Sequence, residues 1–475
     1  MSAAGKDGTP RALPEQALAD SAFIETPRAI HVVGAGGAGM SSLATALIGI
    51  GHRVSGSDLR ASANLKRLEE AGATVYVGHR PENVVGVDLV TASSAIPQSN
   101  PELEESIKLG IPVWSRARTL AAVCSTRRTV AVAGTHGKTT TSSMLAVVLV
   151  EAGFQPSYLI GGELNDTGAG AVWGEGEWLV AEADESDGTF LALDKEVAVV
   201  TNVEPDHLDH YGSFDQLEEA FAQFVGTAGS KAIASADDTV ASKLARKYGA
   251  LTFGLTPAAD YRLEDLQADS SSTRFVLSLR GEPLGTLTLP LPGVHNARNA
   301  AAAAVAAMEI GAPFQAVRSA LGRFTGVARR FEYRGEAGGV RFVDDYAHLP
   351  GEVRAALAAA KLFGPQRLVC VFQPHRYSRT AMLAQSFGDA FDDADLLVVT
   401  DVYSAGEQPR LGITGKLIVD AVAQTKPGKQ VVYLPFRDSL LSYLLGNLKS
   451  GDLCITLGAG DLTTLADQLI GSGSW

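Results

Sequence analysis

Cysteine and long hydrophobic runs are both scarce in this sequence, and each shortage argues against a class of protein. The three cysteines, Cys124, Cys370 and Cys454, are far apart and form no Cys-x-x-Cys pair. A sparse, odd-numbered set of this kind argues against a disulfide framework and a structural zinc site, and it is typical of a reducing cytosol. No run of about 18 apolar residues occurs, so the sequence predicts no transmembrane helix.

Positive charge is also in short supply. Lysine and arginine number 40 against 53 aspartates and glutamates, which gives a net charge of −13. General binding to nucleic acid or to an anionic membrane depends on surplus positive charge, so we expect neither as a partner. The first residues contain no apolar segment of a signal peptide. We therefore expect a cytoplasmic protein whose residues 1–26 form a disordered tail.

Short apolar strands alternate with helical stretches along the rest of the chain. This alternation is typical of βαβ units and predicts an α/β fold with parallel sheets. A chain of 475 residues is several times the usual size of one domain. Fresh series of strands begin near Ile30, Thr129 and Tyr333. We therefore predict three α/β domains, over residues 27–125, 126–332 and 333–475.

A first glycine cluster lies between a predicted strand, 30–33, and a predicted helix. In such a Gly-x-Gly-x-x-Gly loop the backbone can approach a pyrophosphate, and the helix N-terminus supplies partial positive charge. Asp58 follows at the end of the next strand, where a carboxylate could meet a ribose hydroxyl. The pattern indicates a diphosphate-linked ribonucleotide, and either NAD or a UDP-sugar satisfies it. The candidate ligands are Gly34, Gly36, Gly37, Gly39 and Asp58.

A second glycine cluster follows the strand 129–133 and precedes a helix predicted over 141–151. Backbone N–H groups of such a loop can cradle phosphates, Lys138 can reach the β and γ oxygens, and a threonine hydroxyl can hold Mg²⁺. The loop is shorter than the full P-loop spacing. We interpret it as an ATP phosphate loop made of Gly134, Thr135, His136, Gly137, Lys138, Thr139 and Thr140.

Acidic residues and histidines follow the next two strands of this predicted domain. Glu182 lies at the carboxyl end of the strand beginning at Trp178, where ligands of open parallel sheets bind. A metal on nucleotide phosphates needs only one or two carboxylates, so we expect Glu182, with Thr139, to hold Mg²⁺. His207 could bind a second Mg²⁺, although a histidine pair such as His207 and His210 is often structural.

The segment before the alanine-rich helix 297–308 leaves two alternatives open. Asn296 could simply cap that helix, or it could contact an adenine edge.

Two loops of the last predicted domain carry histidine and arginine. Tyr346 and His348 follow the strand 340–343, and Arg376 and Arg379 follow the strand 368–372. Arginine binds carboxylates through paired hydrogen bonds. If the two strands are neighbours, these loops would bind a small substrate carboxylate. Arg330 adds a cation for a nucleotide, although an interdomain salt bridge is an equal alternative.

These motifs, in this order, resemble the Mur ligases over about residues 30–460. The segments 160–165 and 401–407 resemble the branch of that family that uses L-alanine. The resemblance implies a Rossmann-like N-terminal domain, a central P-loop ATPase domain and a Rossmann-like C-terminal domain. The run His348-Leu349-Pro350 departs from the family pattern, which has a second histidine before the proline.

The resemblance also implies substrates, chemistry and roles. ATP and Mg²⁺ would drive the joining of L-alanine to the lactyl carboxylate of UDP-N-acetylmuramate, through an acyl phosphate, in peptidoglycan precursor synthesis. Lys138, Glu182 and His207 would be catalytic, Thr139, Glu182 and His207 would hold metal, and Asn296 and Arg330 would contact ATP. The first glycine loop would bind the UDP-sugar, and the two C-terminal loops would bind the amino acid. The alternatives are a recycling ligase that attaches a murein peptide to the same sugar and, in another class, an NAD-dependent oxidoreductase. The oligomeric state is not predicted.

Overall fold

A computed structural model of the chain describes residues 15–93 and 95–473. The chain divides into two compact units, which are described in turn. Unit 1 runs up to Glu264 and includes Val276–Gly285 and Arg298–Phe324. Unit 2 consists of Asp265–Phe275, Thr286–Ala297 and the chain from Thr325 onward.

The first helix, α1, is Glu15–Glu25, and it contradicts part of the predicted disordered tail. Arg118 donates two hydrogen bonds of 2.7 Å to the carboxylate of Asp20. The ring of Phe23 lies 5.2 Å from that of Trp114, and Ile24 is fully buried. The tail prediction is therefore wrong for Glu15–Glu25, because distant side chains supply the burial and charge that order it. Residues 1–14 of the predicted tail lie outside the described residues.

The first sheet of unit 1 is parallel, with strand order β3-β2-β1-β4-β5. Because β1 lies between β2 and β4, the chain crosses to opposite sides of β1 at its carboxyl end, where open α/β sheets bind ligands. The strands are β1 Ala29–Val33, β2 Arg53–Asp58, β3 Thr74–Val77, β4 Leu89–Ala92 and β5 Val113–Ser115. The helices are α2 Ala38–Ile50, α3 Ala63–Glu70, α4 Pro101–Lys108 and α5 Arg116–Ser125.

The second sheet has the order β15-β14-β13-β12-β11-β10-β6-β9-β7-β8. Strand β6 pairs in parallel with β10 on one side and β9 on the other, so its carboxyl end is a second place for a ligand. The strands are β6 Arg128–Ala133, β7 Ser157–Leu159, β8 Ala171–Val172, β9 Trp178–Glu182, β10 Val197–Val200, β11 Lys231–Ser235, β12 Leu251–Gly254, β13 Tyr261–Ala268, β14 Thr273–Leu279 and β15 Glu282–Leu289. The helices are α6 Lys138–Glu151, α7 Leu208–Tyr211, α8 Phe214–Gly226, α9 Thr239–Tyr248, α10 Val294–Glu309 and α11 Phe314–Leu321.

The third sheet belongs to unit 2 and has the order β16-β17-β21-β18-β19-β20. Only β16 is antiparallel to its neighbour in the pairings among these strands. The strands are β16 Glu332–Ala337, β17 Val340–Asp345, β18 Arg367–Phe372, β19 Leu396–Val399, β20 Val431–Tyr433 and β21 Asp452–Leu457. The helices are α12 Pro350–Lys361, α13 Tyr377–Leu383, α14 Lys416–Thr425, α15 Arg437–Asn447 and α16 Leu465–Gly471.

The three sheets confirm the predicted α/β class. Two details differ from the sequence analysis. Helix α6 begins at Lys138, three residues before the predicted start at Thr141, so the lysine lies in its first turn. Strands β17 and β18 are not neighbours, because β21 lies between them. In the ranges that the structure describes, no helix is long and apolar enough to cross a membrane.

Candidate active site

The first glycine loop is held by the two residues that end β2. The N–H groups of Gly34 and Ala35 donate to the carbonyl of Ser57 at 2.8 and 2.9 Å. The N–H of Gly36 donates to Asp58 Oδ2 at 2.9 Å, and a Cβ at Gly36 would lie 2.8 Å from that oxygen. A larger residue at Gly36 would displace this carboxylate, and Asp58, predicted as a ribose ligand, supports the loop with one of its oxygens.

The other end of this loop opens helix α2. Gly37 caps the helix without a side-chain bond, and the first turn contains no acidic residue, so its N–H groups favour an anion. A cation lies against the same turn, because a Cβ at Gly39 would lie 2.9 Å from Nε of Arg116. The Arg116 side chain, half-buried at the start of α5, forms no hydrogen bond or ion pair with the described residues. Backbone donors and an arginine therefore converge on one surface.

A buried carboxylate lies behind the first glycine loop. Glu102 accepts hydrogen bonds from Ser57 Oγ at 2.7 Å and Asn83 Nδ2 at 2.6 Å. His79 Nδ1 lies 2.9 Å from the same carboxylate, and His31 Nε2 lies 3.5 Å from it. Burial raises the pKa of Glu102, but His31, Ser57 and Asn83 outweigh it and lower the pKa to about 2. Glu102 thus ties β1, β2 and α4 together beneath the loop.

The second glycine loop has two positions that only glycine can occupy. Gly134 has φ +139°, and a Cβ there would lie 2.0 Å from Thr201 Oγ1. Gly137 has φ +81°, and a Cβ there would lie 2.3 Å from Oδ1 of the buried Asn299. The loop therefore lies against two polar side chains that fix its path.

The segment after β10 also holds this loop. Asn202 Oδ1 accepts from the N–H of His136 at 2.8 Å, and Thr201 Oγ1 donates to the His136 carbonyl at 2.6 Å. His136 Nε2 lies 3.1 Å from Glu204 Oε2. Thr135 Oγ1 accepts from the N–H of Glu204 at 2.8 Å. His136 and Thr135 therefore shape the loop through bonds within unit 1.

Lys138 begins helix α6 and is surrounded by acids. Its Nζ lies 2.9 and 2.8 Å from the two carboxylate oxygens of Glu185 and donates to the Gly134 carbonyl at 2.7 Å. Burial lowers the pKa of Lys138, but Glu185, Asp184 and Glu182 outweigh it, so the pKa is raised and the ammonium stays charged. Burial also raises the pKa of Glu185.

Thr139 and Glu182 meet beside this lysine, as the sequence predicts for a metal site. Thr139 Oγ1 donates to Glu182 Oε1 at 3.0 Å, and the N–H of Gly161 donates to Oε2 at 2.6 Å. Thr140 is buried on the same turn of α6. Across residues 15–93 and 95–473, no group of three or more His, Cys, Asp or Glu could hold a metal unaided. This oxygen pair fits Mg²⁺ that also binds phosphate oxygens.

His207 has a left-handed backbone conformation, with φ +52°, at the start of α7. Its ring Nε2 lies 3.1 Å from Oδ2 of the buried Asp206, and its N–H donates to Oδ1 of the same residue at 2.8 Å. Burial raises the pKa of Asp184, but Lys138, Ser186 and, in smaller measure, His207 lower it overall. His207 therefore lies within electrostatic reach of the acids around Lys138, with its ring oriented by Asp206.

The two residues predicted to contact ATP outside the loop belong to unit 2. Asn296 is buried, and its Nδ2 donates at 2.8 Å to the carbonyl of Pro292, which directly precedes the segment that opens α10. Arg330 lies over the ring of Tyr346, 4.9 Å from its centroid. Burial raises the pKa of Asp345 to about 6, although the charge of Arg330 opposes this rise.

The predicted amino-acid-binding loops meet in unit 2 even though β21 separates their strands. The ring of His348 lies 5.5 Å from that of Tyr346 and 5.6 Å from that of His375. Nη1 of the buried Arg379 lies 3.0 Å from His375 Nδ1. Arg376 adjoins His375 with φ +67°. The structure therefore brings two histidines and two arginines to one end of the sheet.

Leu349 stands where the family pattern has a second histidine. Its side chain is buried in the core that also contains Ala347 and Val353. An apolar residue fits this position because the side chain faces the interior of unit 2.

Four polar residues beside the predicted site residues were not predicted from the sequence. Glu185 lies three residues after Glu182, and His375 directly precedes Arg376, so their place in the same loops could have indicated them. Arg116 and Asn299 approach the glycine loops only through the fold, and no local pattern indicates which loop they meet. The missed residues are Arg116, Glu185, Asn299 and His375.

Three family profiles match the chain in order. The first, described as the Mur ligase family catalytic domain, matches residues 29–128. The Mur ligase middle domain matches residues 132–307, and the Mur ligase glutamate ligase domain matches residues 329–460.

Individual relatives agree with these profiles. The UDP-N-acetylmuramate--L-alanine ligase of Pelotomaculum thermopropionicum is 44% identical over 452 residues, covering 94% of this chain and 98% of the relative. The solved UDP-N-acetylmuramate-alanine ligase of Thermotoga maritima is 29% identical with a TM-score of 0.78, covering 94% of this chain and 99% of its own. A murein peptide ligase structure from Psychrobacter arcticus is 26% identical with a TM-score of 0.69, covering 94% and 99%. The profiles, the relatives and the three-sheet α/β fold together establish that this chain belongs to the Mur ligase family.

Proposed function

We propose that this protein joins L-alanine to the lactyl carboxylate of UDP-N-acetylmuramate at the expense of ATP, in cytoplasmic peptidoglycan precursor synthesis. The observation that carries the proposal is the 44% identity, over nearly full length, to a relative named for that reaction. The phosphate loop around Lys138 supplies the ATP chemistry that the reaction needs. An NAD-dependent oxidoreductase would leave this loop without a purpose.

In the first step, a lactyl carboxylate oxygen attacks the γ-phosphorus of ATP, and the bond to the β-γ bridging oxygen breaks to release ADP. Phosphoryl transfer depends mainly on positioning and on neutralising charge on the phosphate oxygens. The charged Lys138 and the N-terminal N–H groups of α6 provide this neutralisation. We assign the phosphates of ATP to Gly134, Thr135, His136, Gly137, Lys138, Thr139 and Thr140.

Mg²⁺ fits the oxygens that unit 1 places beside this loop. We assign it to Thr139 and Glu182, whose oxygens lie 3.0 Å apart, and a second ion to His207. When bound, the metal would neutralise phosphate charge and orient the γ-phosphoryl group. Asp206 orients the His207 ring, so that this ring would reach a ligand in one fixed direction.

In the second step, the neutral amine of L-alanine attacks the acyl carbon, the nitrogen loses a proton, and the C–O bond to phosphate breaks as phosphate leaves from the tetrahedral intermediate. The amino acid must be held by its carboxylate, for which arginine is well suited. We assign this role to Arg376 and Arg379, with His348 and Tyr346 forming the adjoining wall. His375 orients Arg379, because the two side chains lie 3.0 Å apart.

The UDP-sugar is assigned to the first glycine loop of unit 1. Gly37 and Gly39 present the α2 N-terminus to the diphosphate, and Arg116 adds the positive charge that an anion beside Asp58 requires. We assign an adenine contact to Asn296, and we assign Arg330 as a further cation for ATP. We also retain three functional domains with boundaries near residues 27–125, 126–332 and 333–475.

The test compares amino-acid acceptors in one assay. Purified protein is incubated with ATP, Mg²⁺ and UDP-N-acetylmuramate, together with either L-alanine or a murein tripeptide. The masses of the UDP-linked products are then measured by mass spectrometry. We expect the mass of the alanyl product with L-alanine and only unreacted UDP-sugar with the tripeptide. A product with the tripeptide alone would contradict the proposal and favour the murein peptide ligase activity.

A further inference from the structure

Arg376 has a backbone conformation that residues other than glycine rarely adopt. Its φ is +67° and its ψ is 139°, between the end of β18 and the start of α13. Such a conformation is unfavourable and persists only where surrounding contacts fix it. Arg379 follows on the same segment, in α13, so contacts that fix the backbone at Arg376 also help to place Arg379.

Tyr403 holds the N-terminal side of this segment. The N–H of Arg376 donates to the Tyr403 carbonyl at 2.8 Å, and the N–H of Tyr403 donates to the Pro374 carbonyl at 2.8 Å. The Tyr403 ring also stacks on that of His375, with centroids 5.7 Å apart and planes 12° apart. Backbone and ring contacts thus anchor residues 374–376 to a neighbouring loop.

Glu407 holds the C-terminal side of the same segment. Its Oε2 accepts from the N–H of Ser378 at 2.9 Å, and its Oε1 accepts from the Ser378 hydroxyl. A tight turn joins Glu407 to Tyr403, because the N–H of Glu407 donates to the Ser404 carbonyl at 3.0 Å and Gly406 has φ +87°. One short turn therefore grips the arginine-bearing segment on both sides of Arg376.

The charge of Glu407 suits this grip. The side chain is half-buried, and burial raises the pKa of its carboxyl. The bonds from Ser378 and the charge of Arg376 outweigh burial, so the pKa is lowered overall. The carboxylate is therefore ionised at neutral pH and attracts the guanidinium of Arg376 as well as binding Ser378.

We propose that Glu407 is a positioning residue for amino-acid recognition. By holding both donors of Ser378, it keeps Arg376 and Arg379 in the arrangement that receives the carboxylate of the incoming amino acid. This role rests on the proposed function. It concerns only the second step of that reaction, in which the amine of L-alanine attacks. Glu407 acts through Ser378 and the arginines. Its loss should therefore weaken binding of the amino acid and leave binding of ATP and the UDP-sugar unaffected.

The test is the effect of Glu407→Gln on the KM of each substrate, measured by phosphate release. Glutamine keeps the size of the side chain and one acceptor oxygen but loses the charge and the second acceptor. We expect the KM for L-alanine to rise roughly ten-fold or more, since bonds to charged groups are the stronger ones. The KM values for ATP and UDP-N-acetylmuramate should stay within about two-fold. Asp420→Asn, which breaks the exposed ion pair with Lys416 in the same unit, is the matched control and should change none of the three values.

A second series keeps the inference testable if Glu407→Gln does not fold. Ser378→Ala removes one donor and should raise the alanine KM, whereas Ser378→Thr retains the hydroxyl and should restore it. An unchanged alanine KM, an equal rise for all three substrates, or a loss of kcat alone would overturn the positioning role. Wild-type phosphate release that does not depend on L-alanine would instead overturn the proposed function itself.

Discussion

The ammonium group of Lys138 lies 2.9 and 2.8 Å from the two carboxylate oxygens of Glu185. The lysine stands in the first turn of α6, and the glutamate follows β9 in the sequence. The pair holds a cation beside the second glycine loop, and in the proposed reaction this cation would exchange a carboxylate partner for phosphate oxygens. This arrangement accounts for a buried charge that would otherwise be costly.

We expect Lys138→Met to lower kcat by on the order of 100-fold or more, because the charge that develops in phosphoryl transfer loses its nearest cation. The measurement is ADP formation at saturating substrates. The substitution leaves Glu185 buried without its partner, so Lys138→Met/Glu185→Gln checks that the loss does not reflect unfolding. Lys231→Met, which breaks a different ion pair with Glu309, should remain active. A double variant with near wild-type kcat would contradict the role of Lys138.

Glu182→Gln should raise the Mg²⁺ concentration that gives half-maximal activity by roughly ten-fold or more, because a neutral amide is a poorer ligand than a carboxylate. Phosphate release is titrated with Mg²⁺ at fixed ATP. Glu163→Gln is the matched control, since Glu163 pairs with Arg67. The control should keep the wild-type Mg²⁺ requirement. If Glu182→Gln also keeps it, Glu182 does not hold the metal.

Arg116→Gln should weaken UDP binding by roughly ten-fold and leave uridine binding unchanged, because we assign the guanidinium to the diphosphate. Calorimetric titration with UDP and with uridine measures the two affinities. Arg118→Gln is the control: it breaks the bonds to Asp20 in α1, so it should lower the thermal midpoint and spare UDP. Equal weakening of UDP and uridine would rule out a diphosphate contact for Arg116.

Glu102 should make the stability of the first sheet depend on pH. Its pKa is about 2 in the folded chain, against an ordinary value of 4.5. The stabilisation, on the order of 3 kcal/mol, is therefore complete above pH 4.5 and is lost as the pH falls from about 4.5 to about 2. Glu102→Gln should lower the thermal midpoint at pH 7, and the difference from wild type should shrink over that acid range.

The control for this titration is Glu104→Gln, an exposed glutamate on the same helix α4. Its thermal midpoint should follow wild type at every pH. A Glu102→Gln difference that stays constant between pH 7 and pH 3 would mean that packing, and not the buried carboxylate charge, accounts for the loss.

Local patterns in the sequence predicted the strands and loops that carry most of the candidate site. The glycines of both loops follow short β-branched strands, and the structure confirms β1 and β6 at those places. Thr139 and Glu182 were predicted to hold Mg²⁺ because ligands bind at the carboxyl ends of parallel strands, and the structure places their oxygens 3.0 Å apart.

Contacts between distant segments could not be predicted in the same way. Strand β21 lies between β17 and β18. This position was not predicted, because hydrophobic periodicity identifies a strand but not its neighbours in the sheet. Asp58 bonds to the N–H of Gly36, a pairing set by the register of β1 and β2. The order of α1 depends on Arg118 and Trp114, which follow it at long range.

The most direct test of the central claim follows oxygen from the lactyl carboxylate of UDP-N-acetylmuramate. If that carboxylate is labelled with ¹⁸O, an acyl phosphate must carry a carboxylate oxygen into the phosphate that later leaves. We predict that phosphate released with ATP and L-alanine contains one ¹⁸O atom, and that the second label remains in the amide carbonyl. Phosphate without ¹⁸O, released while the alanyl product forms, would show that the carboxylate never attacked the γ-phosphorus and would contradict the mechanism.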